Sequence, residues 1–154
     1  MYDWTLVAHS LLRWLVVLAA GVALARAPGG GFGGRQWTAA DNAANRWLVN
    51  AVTLQFVVGL VLWGFLSPYG VAGFSDMAAT MKDATRRFWA VEHVTMMLAA
   101  LALVHIGAAR ARKAATDVAK HRTAAIFFVL AVIVVMAGIP WVGADARPWF
   151  RLPA

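Results

Sequence analysis

Four apolar runs, Thr5 to Ala25, Trp47 to Leu66, Phe88 to Ala108 and Thr123 to Trp141, constrain this chain more than any other feature. Each is roughly 20 residues long, enough at about 1.5 Å per residue to cross a hydrocarbon layer about 30 Å thick. Backbone in lipid must satisfy its own hydrogen bonds, so such runs fold as helices. Composition agrees. With 62% hydrophobic residues, 14% charged residues and a mean hydropathy of +0.67, too little polar surface remains to coat a water-soluble globule. The sequence predicts an all-α integral membrane protein, a single four-helix bundle over residues 1–154, antiparallel and up-down, with both termini on the same side of the lipid bilayer.

The first run follows Asp3 rather than a basic segment and continues into Arg26, so it is expected to be a retained span and not a cleaved leader. Cysteine is absent, which excludes disulfides, thiolate metal sites and thioether-linked haem. Any cofactor must use His, Met or oxygen ligands. Four spans place the termini and the loop Ser67 to Arg87 on one side, A, and the loops Pro28 to Asn45 and Ala109 to Arg122 on the other, B. Side B carries eight cations (Arg26, Arg35, Arg46, Arg110, Arg112, Lys113, Lys120, Arg122) against five on side A (Lys82, Arg86, Arg87, Arg147, Arg151). The excess marks side B as cytoplasmic and the termini as periplasmic, in a bacterial inner membrane.

The net charge of +7 does not imply nucleic acid, because the cations flank the spans instead of forming a stripe interleaved with aromatics. Anionic headgroups and topology account for them. Trp4, Trp89, Trp141 and Trp149 fall near side A and Trp37 and Trp47 near side B, as an aromatic belt would, while Trp14 lies deeper. The tract Pro28 to Gly34 reads as a flexible connector with no phosphate-binding spacing. Ser75 to Arg87 reads as a short helix capped by Ser75, with Phe74, Met77 and Met81 facing the interface or lidding a site. No nucleophile with its base, no carboxylate pair and no phosphate cradle is present, which argues against hydrolysis and group transfer.

The chemistry-bearing residues are histidines. His9 lies four residues past Thr5 and His93 five past Phe88, so both sit about 6 to 8 Å below the side A boundary. Low-spin haem b needs two imidazoles on opposite faces of one iron, drawn from different helices at equal depth. His9 and His93 meet that requirement. Arg13 shares the face of His9 and could neutralise a haem propionate or pair with Glu92, which adjoins His93. Met96 and Met97, one turn deeper, offer soft side chains to pack on a porphyrin or ligate a metal. A network of Arg13, Glu92 and the histidines that merely locks helices together is the plainer alternative.

A second haem would use His105 and His121. His105 follows His93 by 12 residues, a rotation of roughly 120°, whereas haems stacked on one face want a spacing nearer 14. His121, between Lys120 and Arg122, is expected to be an exposed side chain among headgroups. Asn50 and Gln55 are expected to join neighbouring helices, and Gln55 or the side A loop would be the place for a quinone to meet the protein. Gly21, Gly59, Gly107 and Gly138 permit close helix contact. Pro140 is expected to end span four, with an extended tail through Pro148 and Pro153.

The segments His9-Ser-Leu-Leu-Arg-Trp14, Arg87-Phe-Trp-Ala-Val-Glu-His-Val-Thr-Met-Met97, Lys120-His-Arg-Thr-Ala-Ala-Ile-Phe127 and Ile139-Pro-Trp141 together resemble a family of small bacterial four-helix membrane proteins labelled cytochrome b-like, over nearly the whole chain. More loosely, the architecture resembles the cytochrome b561 superfamily, whose members hold haem b between transmembrane helices and exchange electrons with quinones, superoxide or ascorbate. The resemblance implies a haem b electron carrier, or a subunit near the quinone pool, held through His9 and His93. Two rivals stand beside it: copper bound by His9, His93, Met96 and Met97, and a cofactor-free accessory subunit packed in a larger respiratory or photosynthetic complex.

Overall fold

The computed structural model describes residues 1–141. Arg147, Pro148, Trp149, Arg151 and Pro153, assigned from sequence to the side A tail, lie outside the described residues. Seven α-helices follow in order: α1 (Tyr2–Ala25), α2 (Ala27–Gly31), α3 (Ala39–Val61), α4 (Met77–Lys82), α5 (Ala84–Arg87), α6 (His93–Lys113) and α7 (Asp117–Ala137). A π turn, Leu62–Leu66, continues α3, a second, Phe88–Glu92, leads into α6, and a 3₁₀ turn, Val71–Asp76, precedes α4. The described residues contain no strand. Four helical stretches, Tyr2–Gly31, Ala39–Leu66, Ala84–Lys113 and Asp117–Ala137, are long and apolar enough to cross a membrane, and each contains one of the apolar runs or most of it.

The helices overrun those runs because their ends carry capping chemistry that hydropathy does not register. Helix α3 starts at Ala39, not Trp47, because Thr38 and Asp41 form a capping box. Asp41, 2% exposed, accepts from the Thr38 backbone N–H at 2.8 Å and the Thr38 hydroxyl at 2.6 Å. It also accepts from Arg26 Nε at 2.8 Å and from both terminal nitrogens of Arg35, at 2.7 and 3.0 Å. One carboxylate therefore pins the α1–α3 connection to the start of α3. Both guanidiniums are about one-third exposed, so water takes them over if the carboxylate is lost. Asp41→Ala is thus expected to cost about 2 kcal/mol, mostly the cap, seen as a lower unfolding temperature in detergent.

The same connection is more ordered than a glycine tract suggests. Pro28, at the start of α2, has the fixed φ that a first helical turn accepts, and Ala27–Gly31 forms a helical turn in place of the expected flexible connector. On the other side, Ser75 does not cap a helix. It lies in the 3₁₀ turn and bonds back to the Ala72 carbonyl, while Asp76 caps α4 through Ala79 N–H and Asp83 caps α5 through Arg86 N–H.

Packing inside the bundle relies on small side chains. Ala19, Ala20, Ala23, Ala44, Ala51, Ala108, Ala111, Ala124 and Ala131 form its core with Leu48, Val104 and Phe128. Large apolar residues such as Leu18, Val57, Leu98, Ile126 and Ile133 point outward. This inversion suits lipid, where apolar contact is equal inside and out and close helix approach does the work. Helix α1 packs on α3, α3 on α6 and α6 on α7. A Cβ at Gly107 on α6 would strike Phe127 on α7, so this glycine lets the two helices come close. Gly21, expected at such a contact, has no atom within 4 Å of where its Cβ would lie.

Candidate functional site

The start of α1, the end of α3, the start of α6 and the end of α7 surround a partly open cavity of about 180 Å³. Its walls include Val16, Val52, Phe56, Trp63, Val94 and Val135, and its polar residues include Tyr2, His9, Ser10, Arg13, Gln55, Ser67, Tyr69, Trp89 and His93. His9 and His93, matched in depth by counting along the sequence, line this one space, with Arg13 and Met97. The segment after α3 closes the cavity, contributing Ser67, Tyr69 and Gly70. Trp63 donates its indole N–H to the Ala90 carbonyl at 2.8 Å, tying one π turn to the other. The hydroxyl of Thr80, 2% exposed, donates to the Gly73 carbonyl at 2.7 Å and holds the loop down.

The hydrogen-bond partners of His93 decide its tautomer. Its Nδ1 lies 2.8 Å from the Gly138 carbonyl oxygen at the C-terminal cap of α7. A carbonyl can only accept, so Nδ1 carries the proton and Nε2 keeps its lone pair. Trp89 and Phe88 flank the ring at centroid distances of 5.3 and 5.9 Å. Anchored at one nitrogen and walled by aromatics, the imidazole presents a basic nitrogen in a fixed direction.

His9 is held differently. The side-chain amide nitrogen of Gln55 donates to the His9 backbone carbonyl at 3.0 Å and lies 3.2 Å from His9 Nε2. The carbonyl contact fixes that atom as nitrogen, so its second hydrogen is directed to Nε2 and the proton of the ring sits on Nδ1. Nδ1 of His9 and Oε1 of Gln55 are buried and have no hydrogen-bond partner among the described residues. Gly59, one turn beyond Gln55, makes room for the ring: a Cβ there would lie 3.0 Å from His9 Cε1.

The remaining candidates separate. Arg13 lines the cavity with its guanidinium carbon 5.7 Å from the Trp14 ring centroid. Glu92 is not in the lining; it accepts from Arg87 Nε at 2.6 Å instead of joining Arg13 or His93. Met97 lines the cavity and its methyl packs on Gly138, where a Cβ would lie 2.5 Å away, whereas Met96 is not in the lining. Among the described residues no three His, Asp or Glu side chains converge as a metal cage. Two imidazoles on different helices remain, the donor set that suits a haem iron.

His105 and His121 have other partners. The Thr53 hydroxyl donates to the Val49 carbonyl at 2.7 Å, so its oxygen accepts from His105 Nε2 at 3.0 Å, joining α3 to α6. Replacing His105 by Phe is expected to shift stability by less than about 1 kcal/mol, measured by thermal unfolding in detergent. The expectation that His121 is exposed is overturned: it is 1% exposed, tilted against Trp37 at 4.8 Å between ring centroids. A Cβ at Gly30 would collide with the ring, so the glycine tract lets α2 cover it. The glycines before Trp37 were the available signal, masked by the flanking Lys120 and Arg122.

These features define a multi-pass helical membrane protein with a histidine-lined cavity at one end of its bundle. No protein-family model matches the chain, and no curated protein or solved structure matches it.

Proposed function

We propose that this protein is an electron-transfer component of a bacterial inner membrane that holds haem b between His93 and His9, in an up-down bundle with both termini periplasmic. The bond from His93 Nδ1 to the Gly138 carbonyl carries the reading. Metal-ligating histidines donate their second ring N–H to a carbonyl or carboxylate, which orients the ring and raises the basicity of the other nitrogen. His9 supplies an imidazole from a different helix in the same cavity, and Arg13 a cation suited to a propionate. When bound, the haem supplies a reversible one-electron couple. The protein's own residues orient it, exclude water with Phe56, Trp63 and Val94, and set its potential through the basicity of His93.

Two demands follow from the geometry. The enclosed volume of about 180 Å³ is that of a small ring, so the rest of a macrocycle must use the cavity's open side. Ligation through His9 Nε2 also requires the Gln55 amide, 3.2 Å away, to release it. The partners on this reading are lipid, a quinone or redox protein reaching the cavity mouth, and a larger membrane complex if the chain is a subunit. A reduced-minus-oxidised visible spectrum of the purified protein tests it: a b-type α band with about one haem per chain is expected. A folded, colourless protein that takes up copper through His9, His93 and Met97 would replace it with the soft-metal reading.

A further inference from the structure

Where α3 packs on α6, the outward face carries two polar side chains with hydrogen-bonding capacity left over among the described residues. The Thr53 hydroxyl donates to the Val49 carbonyl at 2.7 Å and so accepts from His105 Nε2 at 3.0 Å. A neutral imidazole protonated at Nε2 keeps a bare lone pair on Nδ1. One turn before Thr53 stands Asn50, exposed, whose side-chain amide bonds to no described residue. Both residues lie inside apolar runs. Asn50 is three residues inside the Trp47 end of its run and His105 three inside the Ala108 end of its own, about 5 Å in each case. The Thr53 bond sets those two ends level.

An amide or imidazole that faces hydrocarbon without a partner is costly. Lipid ester carbonyls can take the amide hydrogens, but they only accept, so they leave the His105 lone pair unserved. A donor has to reach it, and the Asn50 amide is a donor that every copy of this chain carries within one helical turn of that depth. We propose that this face pairs with the same face of a second copy about a two-fold axis along the membrane normal, Asn50 of each protomer donating to His105 Nδ1 of the other. Copies of one chain insert in one orientation, so groups meet across such an axis only at matching depth. The two-fold makes the contact twice. The rest of the face suits it, because Leu54, Val57 and Leu98 are exposed and Ala102, one turn from His105, is small enough for backbones to come close. The pairing is independent of the haem reading, whose cavity lies at the other end of the bundle.

The test uses the full-length chain in phosphatidylcholine vesicles at increasing lipid dilution. Energy transfer between donor- and acceptor-labelled Ser75→Cys copies reports association, since the chain has no cysteine of its own. Transfer is expected to fall on dilution as a single dimer constant requires. Adding Asn50→Leu is expected to weaken association about 30-fold, the factor carried by two interhelical hydrogen bonds of ordinary strength. Its helicity by circular dichroism should not change, because the amide bonds to nothing described within its own chain. With a short bismaleimide, Ala102→Cys copies are expected to crosslink and Ile133→Cys copies, on α7, are not. Association unaffected by Asn50→Leu overturns the proposal, as does crosslinking that fails at Ala102 or is equal at the two positions. Absence of transfer at every dilution also overturns it and leaves the face to lipid or to a different protein. The crosslinks decide the question even if the leucine variant does not fold.

Discussion

If His93 and His9 hold the haem proposed above, His93→Ala is expected to remove nearly all of it, whereas His9→Ala keeps a substantial fraction. A count of histidines alone would make the two losses equal. The asymmetry comes from what holds each ring. Gly138 orients His93 and strengthens its free nitrogen, and removing an outer-shell partner of that kind alone costs roughly 10–100-fold in metal affinity. Losing the ligand itself must cost more, so on the haem reading the affinity of His93→Ala for haem is expected to fall roughly 100-fold or further. His9 is committed to Gln55 through two contacts, so its removal takes away less binding. Pyridine haemochrome titration of both variants, with circular dichroism to confirm intact helices, measures the difference. Equal loss in both would show that the imidazoles act as matched ligands.

Gly70→Ala is the substitution expected to destabilise the protein most for the atoms it adds. A Cβ at Gly70 would strike the Trp63 carbonyl oxygen and press on that residue's carbonyl carbon and Cα. These are backbone atoms inside a helical turn, so no side-chain rotation relieves the clash. Overpacking costs typically about 1–3 kcal/mol, and an unyielding backbone puts this site near the upper end. For a chain of this size that lowers the unfolding temperature by roughly 10 °C. The loop Ser67–Gly70 would lift from the cavity it lines, so any haem bound there should also dissociate faster. Gly64→Ala is the internal control, because nothing lies within 4 Å of its Cβ position. Equal melting temperatures for the two variants would refute this account.

The spans were legible because lipid demands length and apolarity, both of which can be counted. That His9 and His93 fall at the same end of the bundle and line one cavity was legible for the same reason, since rise per residue is fixed. Rotation was not. In these helices the inner face is alanine and the outer face leucine, isoleucine and valine, so both faces are apolar and no polar stripe reveals which is buried. Gln55 was visible as a polar residue that would join helices, but that it would occupy the very nitrogen proposed for a metal depends on side-chain geometry across α1 and α3. His121 misled because its sequence neighbours are cations, while its burial depends on Gly30 in a distant segment. Ser75 misled because Asp76, the next residue, was the better placed acceptor for the helix that follows.

The π turn Phe88–Glu92 stands immediately before His93. A π turn is an α-helix with one residue too many, and that surplus sets angular phase: everything above the joint is turned by about 100° relative to a regular helix. The Arg87–Glu92 pair and the aromatic pair Phe88–Trp89 therefore sit on a dial that the surplus residue sets and the Trp63–Ala90 hydrogen bond holds. Excising one residue from this stretch would leave α6 from His93 onward in register with α7 and turn Trp89, its contribution to the cavity lining, away from its present position. In such a chain, a length change of a single residue re-aims one wall of the entrance while the helix below keeps its packing.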